Sequence, residues 1–344
     1  MSLFVGENIS MNKIGLVLSG GGAKGAYEVG VIKYLAERNF RIDAISGASI
    51  GSLNGAVIAS SENLNIATEK LLNIWTSVWQ NQPIGFDKLD IKDKSIINTI
   101  LLLINYFGYS TLFNNFLILK NIIDLNDDNG FFSNNTERQY IKNNIDFNKL
   151  ISGIPFYVSV YESEGKLIDI LKYISKTNKP SNYLKIQDYN DEKDIINILL
   201  ASSSIPYIFK AINLQGKKYY DGGLGDSYKI WGNTPIIPLI DNEKCDTIIV
   251  IHLSDGSLWD RNAFKTTNIV EIRPQSTIKR NGFLDIVSFN ENEINSWIKQ
   301  GYNDAKIIIE KITKQFVNTN KISSEFIKLN SKLNELQNDN FNIK

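Results

Sequence analysis

The sequence predicts an α/β protein with a mostly parallel central sheet flanked by helices. Three observations predict it. Two short apolar runs, "KIGLVLSGG" and "RIDAISG", end in glycine turns, and each turn leads into a helix-like stretch. Strand, glycine turn and helix, repeated, is how a parallel sheet begins, because parallel strands need a crossover connection and a helix supplies it. Further on, "CDTIIVIHLS" is the uniformly apolar run of a buried strand.

The elements follow in chain order. "KIGLVLSGG" reads as a buried strand entering a tight loop, and "AYEVGVIKYLAERN" sets Val29, Ile32 and Leu35 on one helical face. "RIDAISG" is a second strand, "SIGSLNGAVIAS" a second helix with small residues along it, and residues from about 66 to 79 continue as helix. "IPFYVSVYE" and "KLIDILKYI" read as a hairpin-like pair of strands around Glu162 to Lys166. "IINILLASSSIPYIF" is a helix stopped by Pro206, and "KKYYDGG" is a strand running into a turn. Ile294, Trp297, Ile298, Tyr302, Ala305, Ile308 and Ile312 mark one face of a long helix. Phe326, Leu329, Leu333 and Leu336 suggest a last helix, with Ser323 or Ser324 as its cap.

The most apolar stretch is "SIINTILLLINYFGYSTLFNNFLILKNII". Asn98, Asn105, Asn114, Asn115 and Gly108 interrupt it, so no run reaches the roughly eighteen apolar residues of a spanning helix. It reads as cap helices, whose apolar face meets either the core or a lipid interface.

Composition removes some function classes. Lys and Arg total 37 and Asp and Glu 37, so bulk charge does not call for a nucleic-acid partner. Cys245 is the only cysteine, which excludes an internal disulfide framework or a thiolate zinc site and suits a reducing, cytoplasmic compartment. "MSLFVGENISMNKIGLV" lacks the basic and long apolar regions of a secretory signal, so residues 1–11 are expected to form a loose leader. His252 is the only histidine, so a Ser-His-Asp triad would have to use it.

Three constellations carry chemistry. In "SGGGAKGAY", Gly20, Gly22 and Gly25 satisfy the dinucleotide pattern G-x-G-x-x-G, with Asp43 about twenty residues on. A P-loop is excluded, since Lys24 precedes the last glycine and Ala26-Tyr27 stands where Lys-Ser/Thr is required. The same bare backbone N–H groups suit a developing oxyanion, so this loop alone leaves both readings open. "GASIG" then frames Ser49 as the tip of a sharp strand-to-helix turn, which favours acyl transfer. "YYDGGLGD" is either a hairpin turn or the site of a base, Asp221. The order Ser49, Asp221, His252 permits a triad, although His252 lies inside a strand-like run where packing is its expected employment, and Asp226 and Asp255 are fallback carboxylates.

Together "GGGAKG", "GASIG" and "DGG" resemble the patatin-like phospholipase family, from about Lys13 to about Leu239. "ASSSIPYIF" and "NTPI" are similar to further family segments, with a weaker echo at "GYNDAK". The resemblance implies a three-layer fold and a serine-aspartate dyad, Ser49 as nucleophile and Asp221 as its base. It implies an oxyanion hole from the N–H groups of Gly20, Gly21, Gly22 and Ala23, with Lys24 beside it to hold the loop or attract a phosphate head group. It implies a phospholipid or lysophospholipid substrate, transient contact with a membrane surface, a small-molecule or protein activator as a further expectation, and no cofactor or metal. The expected organisation is a catalytic domain over residues 12–310, a cap-like insert at about 94–130 and a helical extension over 311–344. The insert and the long "GDSYKIW" spacing before Asn233 depart from the family pattern.

Overall fold

The computed structural model describes residues 13–81, 135–165, 168–169, 172–173, 175–206, 209–226, 229–254, 259–276 and 291–341. The expected leader, the cap-like insert and Asp255 lie outside them.

One mixed sheet forms the middle layer. Strands β1 (Ile14–Leu18), β2 (Ala44–Ala48), β3 (Phe156–Glu162), β7 (Thr247–Ile251) and β8 (Asn268–Ile272) are parallel, in the order β3-β2-β1-β7-β8. Strands β4 (Asn182–Lys185) and β6 (Lys217–Asp221) pair antiparallel with β3, and β5 (Ile212–Leu214) pairs antiparallel with β6. Alternate residues serve two cores: Leu16, Leu18, Ile249 and Ile251 belong to one cluster, Val17, Ile248 and Val250 to another. Burial on both faces explains why these strands read as unbroken apolar runs.

Helices α1 (Ala26–Glu37), α2 (Ile50–Ala59) and α3 (Leu64–Asn81) cover the first face. A short 3-10 turn, Gly22–Gly25, leads into α1, and Asn39 at φ 55° follows its end in the left-handed conformation that Asn tolerates. Helices α4 (Asn135–Asn144) and α5 (Phe147–Ser152) precede β3, and α6 (Glu192–Ser203) follows β4, capped by the Asp191 carboxylate on the Lys193 N–H. Helix α7 (Ile237–Asp241) joins the second cluster. Helix α8 (Glu291–Phe341) packs along α1, where Asp304 accepts hydrogen bonds from the Tyr27 hydroxyl and the Gln275 N–H.

Two sequence expectations change. The described residues of "KLIDILKYI", namely 168, 169, 172 and 173, are helical, and the antiparallel partners of β3 are β4 and β6. Leu167, Ile168, Leu171 and Ile174 fall at helical spacing, and Asp169 closes the turn by accepting the Glu164 N–H. The break expected at Ser323 or Ser324 is absent, because α8 runs through both. After Gly301 the sequence contains no glycine or proline to end it. Within α8 the buried stripe runs through Ile294, Trp297, Ala305 and Ile309, while Ile312 is 39% exposed.

Candidate active site

The turn from β2 into α2 places Ser49 at φ 51°, ψ −126°. A non-glycine residue held there carries backbone strain of about 1–3 kcal/mol, which persists only where the surroundings over-determine it. The surroundings do. A Cβ on Gly47 would come within 2.5 Å of the Gly51 carbonyl oxygen, and one on Gly51 within 2.4 Å of the Leu18 carbonyl oxygen. The two glycines that frame the serine are therefore a steric condition of the turn. The Ser49 carbonyl accepts the Ser52 N–H at 2.9 Å and the Ser52 hydroxyl at 2.6 Å, which starts α2.

Strand register brings the carboxylate to this turn. Ala48 is opposite Ser159, so Ser49 stands level with Val160, and Val160 is opposite Asp221. Ser49 and Asp221 thus flank β3 at one level, their main chains about 10 Å apart at two strand spacings. The Ser49 side chain faces the Asp221 carboxylate closely enough to favour its ionised form. Both residues are 8% exposed. Burial raises the Asp221 carboxyl to about 6, opposed by the Gly223 N–H at 2.8 Å and by the Ser49 hydroxyl. A carboxylate with that affinity for protons is matched to proton transfer near neutral pH.

The glycine loop lies against the same serine, since a Cβ on Gly20 would stand 3.1 Å from the Ser49 Cβ. Asn233 ties this loop down: its carbonyl accepts the Gly20 N–H at 3.1 Å and its side-chain amide donates to the Gly20 carbonyl at 3.2 Å. Next to it the Ser19 and Thr234 hydroxyls are 3.0 Å apart, and the Ser46 hydroxyl donates to the Pro235 carbonyl at 2.5 Å. The Gly20 N–H is therefore spent, which corrects its expected place among the oxyanion donors. Among the described residues no hydrogen bond from outside the Gly22–Gly25 turn uses the N–H of Gly21, Gly22 or Ala23. Lys24, in the same turn, is 9% exposed.

The rival residues are placed elsewhere. His252 is 1% exposed and its Nε2 lies 3.0 Å from the Glu271 carboxylate, with its ring edge against Trp259. Burial lowers its proton affinity, so a neutral ring donates to Glu271. Burial alone would raise Glu271, but the His252 and Arg273 hydrogen bonds and the Arg273 charge together bring it down to about 2. We expect His252→Ala to cost about 2–3 kcal/mol of stability, as seen by denaturant titration. Asp226 is half-buried, its N–H donating to the Lys179 carbonyl. Asp43 accepts the Ile14 N–H at the start of β1, one residue before β2 begins. A ribose-binding acid belongs at the opposite, carboxyl end of that strand, so the dinucleotide reading is overturned by position. No group of three or more His, Cys, Asp or Glu suited to a metal occurs among the described residues.

Sequence reasoning missed the polar side chains that hold these parts together. Glu28, fully buried on α1, accepts from the Asn54 amide at 2.8 Å; the same amide donates to the Gly25 carbonyl at 3.1 Å, and Trp75 donates to the Asn54 oxygen at 3.0 Å. Burial pushes the Glu28 carboxyl well above its ordinary range, only partly offset by Asn54 and the Ser19 N–H. Its carboxyl joins the glycine-loop helix to the serine helix through Asn54. Glu28→Gln should hold stability within about 1 kcal/mol, whereas Glu28→Ala should lose about 2–4 kcal/mol by cavity and lost hydrogen bonding, measured by thermal melts. The only sequence signal was a charged residue on the inward face of an apolar helix.

The Patatin-like phospholipase family model matches residues 16–239, which contain both turns, Asp221 and Asn233. A 42-residue stretch is 57% identical to the patatin-like phospholipase domain-containing protein ZK370.4 of Caenorhabditis elegans, and a 40-residue stretch 60% identical to lysophospholipase NTE1 of Mycosarcoma maydis. Each stretch is 12% of this chain and spans only 3% and 2% of those relatives. Among solved structures, VipD from Legionella pneumophila aligns over 87% of this chain and 67% of its own, at 14% identity and a TM-score of 0.42. The type III effector ExoU aligns over 87% and 53%, at 14% identity and a TM-score of 0.35.

Proposed function

The chain belongs to the patatin-like phospholipase family, and on that premise we propose that it hydrolyses fatty-acyl esters of phospholipids or lysophospholipids through Ser49 and Asp221. The single observation that carries the reading is the strand register that sets a strained, turn-tip serine level with a buried carboxylate whose proton affinity is raised to about 6.

In this reading the Ser49 Oγ attacks the ester carbonyl as Asp221 takes its proton. The N–H groups of Gly21, Gly22 and Ala23 stabilise the tetrahedral oxyanion. Protonated Asp221 then returns the proton to the leaving alcohol, the head-group-bearing part of the lipid, and an acyl-serine remains. Water, deprotonated by Asp221, releases the fatty acid and restores the serine. Lys24 holds the oxyanion loop. Substrate is reached by transient contact with a lipid surface. An activating ligand or partner belongs to the same proposal, as a rise in the activity of pure protein on its addition.

The test is labelling with a fluorophosphonate probe followed by peptide mapping, together with release of fatty acid from phosphatidylcholine and lysophosphatidylcholine vesicles. Modification at Ser49, lost in Ser49→Ala, is the expected result. Labelling at another serine, or none with or without lipid, would overturn the assignment.

A further inference from the structure

The serine-rich segment "ASSSIP" at the end of α6 has no role in the chemistry above, yet it touches both residues assigned to it. Its three serines behave differently. The Ser203 and Ser204 hydroxyls return to carbonyls of their own helix, Leu199 and Leu200, as serines near helix ends commonly do. The Ser202 hydroxyl turns away. It donates to the Ser159 carbonyl of β3 at 2.7 Å and accepts the Ser49 N–H at 2.9 Å. Its one proton goes to Ser159, so its oxygen is the acceptor for Ser49. Ser202 is fully buried, and water has no access to replace it.

The other end of the segment holds Asp221. The Ser204 carbonyl accepts the Asp221 N–H at 2.9 Å, and Ser159, the acceptor of Ser202, neighbours Val160, which pairs with Asp221. A Cβ on Gly222 would meet the Ser159 carbonyl oxygen at 2.5 Å, so Ser159 and the turn after Asp221 are in close contact. The backbone of Ser49 is thus fastened through one hydroxyl to the strand that carries the level of Asp221.

Resting on the function proposed above, we infer that Ser202 is a positioning residue: its hydroxyl clamps the strained backbone of Ser49 to β3 and thereby sets the reach between the Ser49 hydroxyl and the Asp221 carboxylate. Ser202 touches no reacting atom. Loosening the clamp costs rate through misplacement, and an error near 1 Å is worth about 10²-fold in such an arrangement. It also leaves a second trace. The Ser49 hydroxyl favours the ionised form of Asp221, so a weakened contact raises the pH at which Asp221 loses its proton. The groups facing that carboxyl are the Gly223 N–H, the Ser49 hydroxyl and the Tyr173 phenol, and none of the three is removed by changing Ser202.

The experiment measures inactivation by a fluorophosphonate probe as a function of pH for wild type, Ser49→Ala and Ser202→Ala, with thermal melts alongside. Ser202→Ala should keep a cooperative melt, lose about 10- to 100-fold in the limiting labelling rate with its probe affinity within about twofold, and show its acid limb at higher pH. Wild-type kinetics in Ser202→Ala, or a slower rate with the acid limb unmoved, would overturn the clamp and leave only a packing role. Should Ser202→Ala fail to fold, Ser202→Cys carries the test, because a thiol nearly fills the space while donating and accepting weakly. A raised acid limb and slowed labelling there support the clamp, and unchanged kinetics reject it. Wild type unlabelled at Ser49 would instead remove the functional reading itself, and this inference with it.

Discussion

Ser49→Ala removes ester hydrolysis, with a loss of roughly 10³-fold or more in turnover, while thermal stability stays within about 1 kcal/mol of wild type. In the proposed mechanism the rate falls because no acyl-serine can form, and what remains is the activity of water held beside the proposed oxyanion hole. Stability holds because the Ser49 carbonyl accepts the hydrogen bonds that start α2 and its N–H donates to the Ser202 hydroxyl, and alanine keeps both groups. The check is fatty-acid release from vesicles beside a thermal melt. A variant that retains a tenth of wild-type turnover would exclude Ser49 as nucleophile.

Asp221→Asn separates activity from stability. Activity should fall about 10²- to 10⁴-fold, since the amide occupies the same space and takes no proton. In wild type the reaction needs the ionised carboxylate, so the acid limb of the pH–rate profile should lie near pH 6, the value to which burial raises Asp221. Stability moves the other way. The folded state binds the Asp221 proton more tightly than an unfolded chain, whose carboxyl sits near 3.8. That contribution to stability is complete below pH 3.8 and is lost as pH rises through about 6, above which the buried charge is a cost. At pH 8 Asp221→Asn should therefore melt higher than wild type, by on the order of 2 kcal/mol, and the advantage should vanish by pH 4. Equal melting of the two proteins at both pH values would show that Asp221 carries no raised proton affinity.

Both predictions depend on features of unequal legibility. The strand and glycine turns at the N-terminal end were readable, because an apolar run ending in small residues is a short-range pattern. Reading "KLIDILKYI" as strand failed for a related reason: a short apolar run supports either period, and here Asp169 closes a helical turn that hydropathy alone does not reveal. Gly20 failed as an oxyanion donor because its N–H is taken by Asn233, more than two hundred residues away in the chain. His252 and Asp221 were equal in chain order, yet one strand end turns its side chain to Glu271 and the other to Ser49.

The amino-acid sequence by itself determined one half of the bend at Ser49, because Gly47 is demanded by a clash with Gly51 four residues on, whereas Gly51 is demanded by the Leu18 carbonyl of the neighbouring strand. Only the tertiary structure decided which acid meets the serine and what holds the pair. That outcome rests on β6 entering antiparallel beside β3 so that Val160 faces Asp221, and on Ser202 and Asn233 arriving from other segments. Local sterics are written within one turn of chain. The convergence of side chains 172 positions apart is set by strand register, which the burial pattern of strands distant in the chain selects.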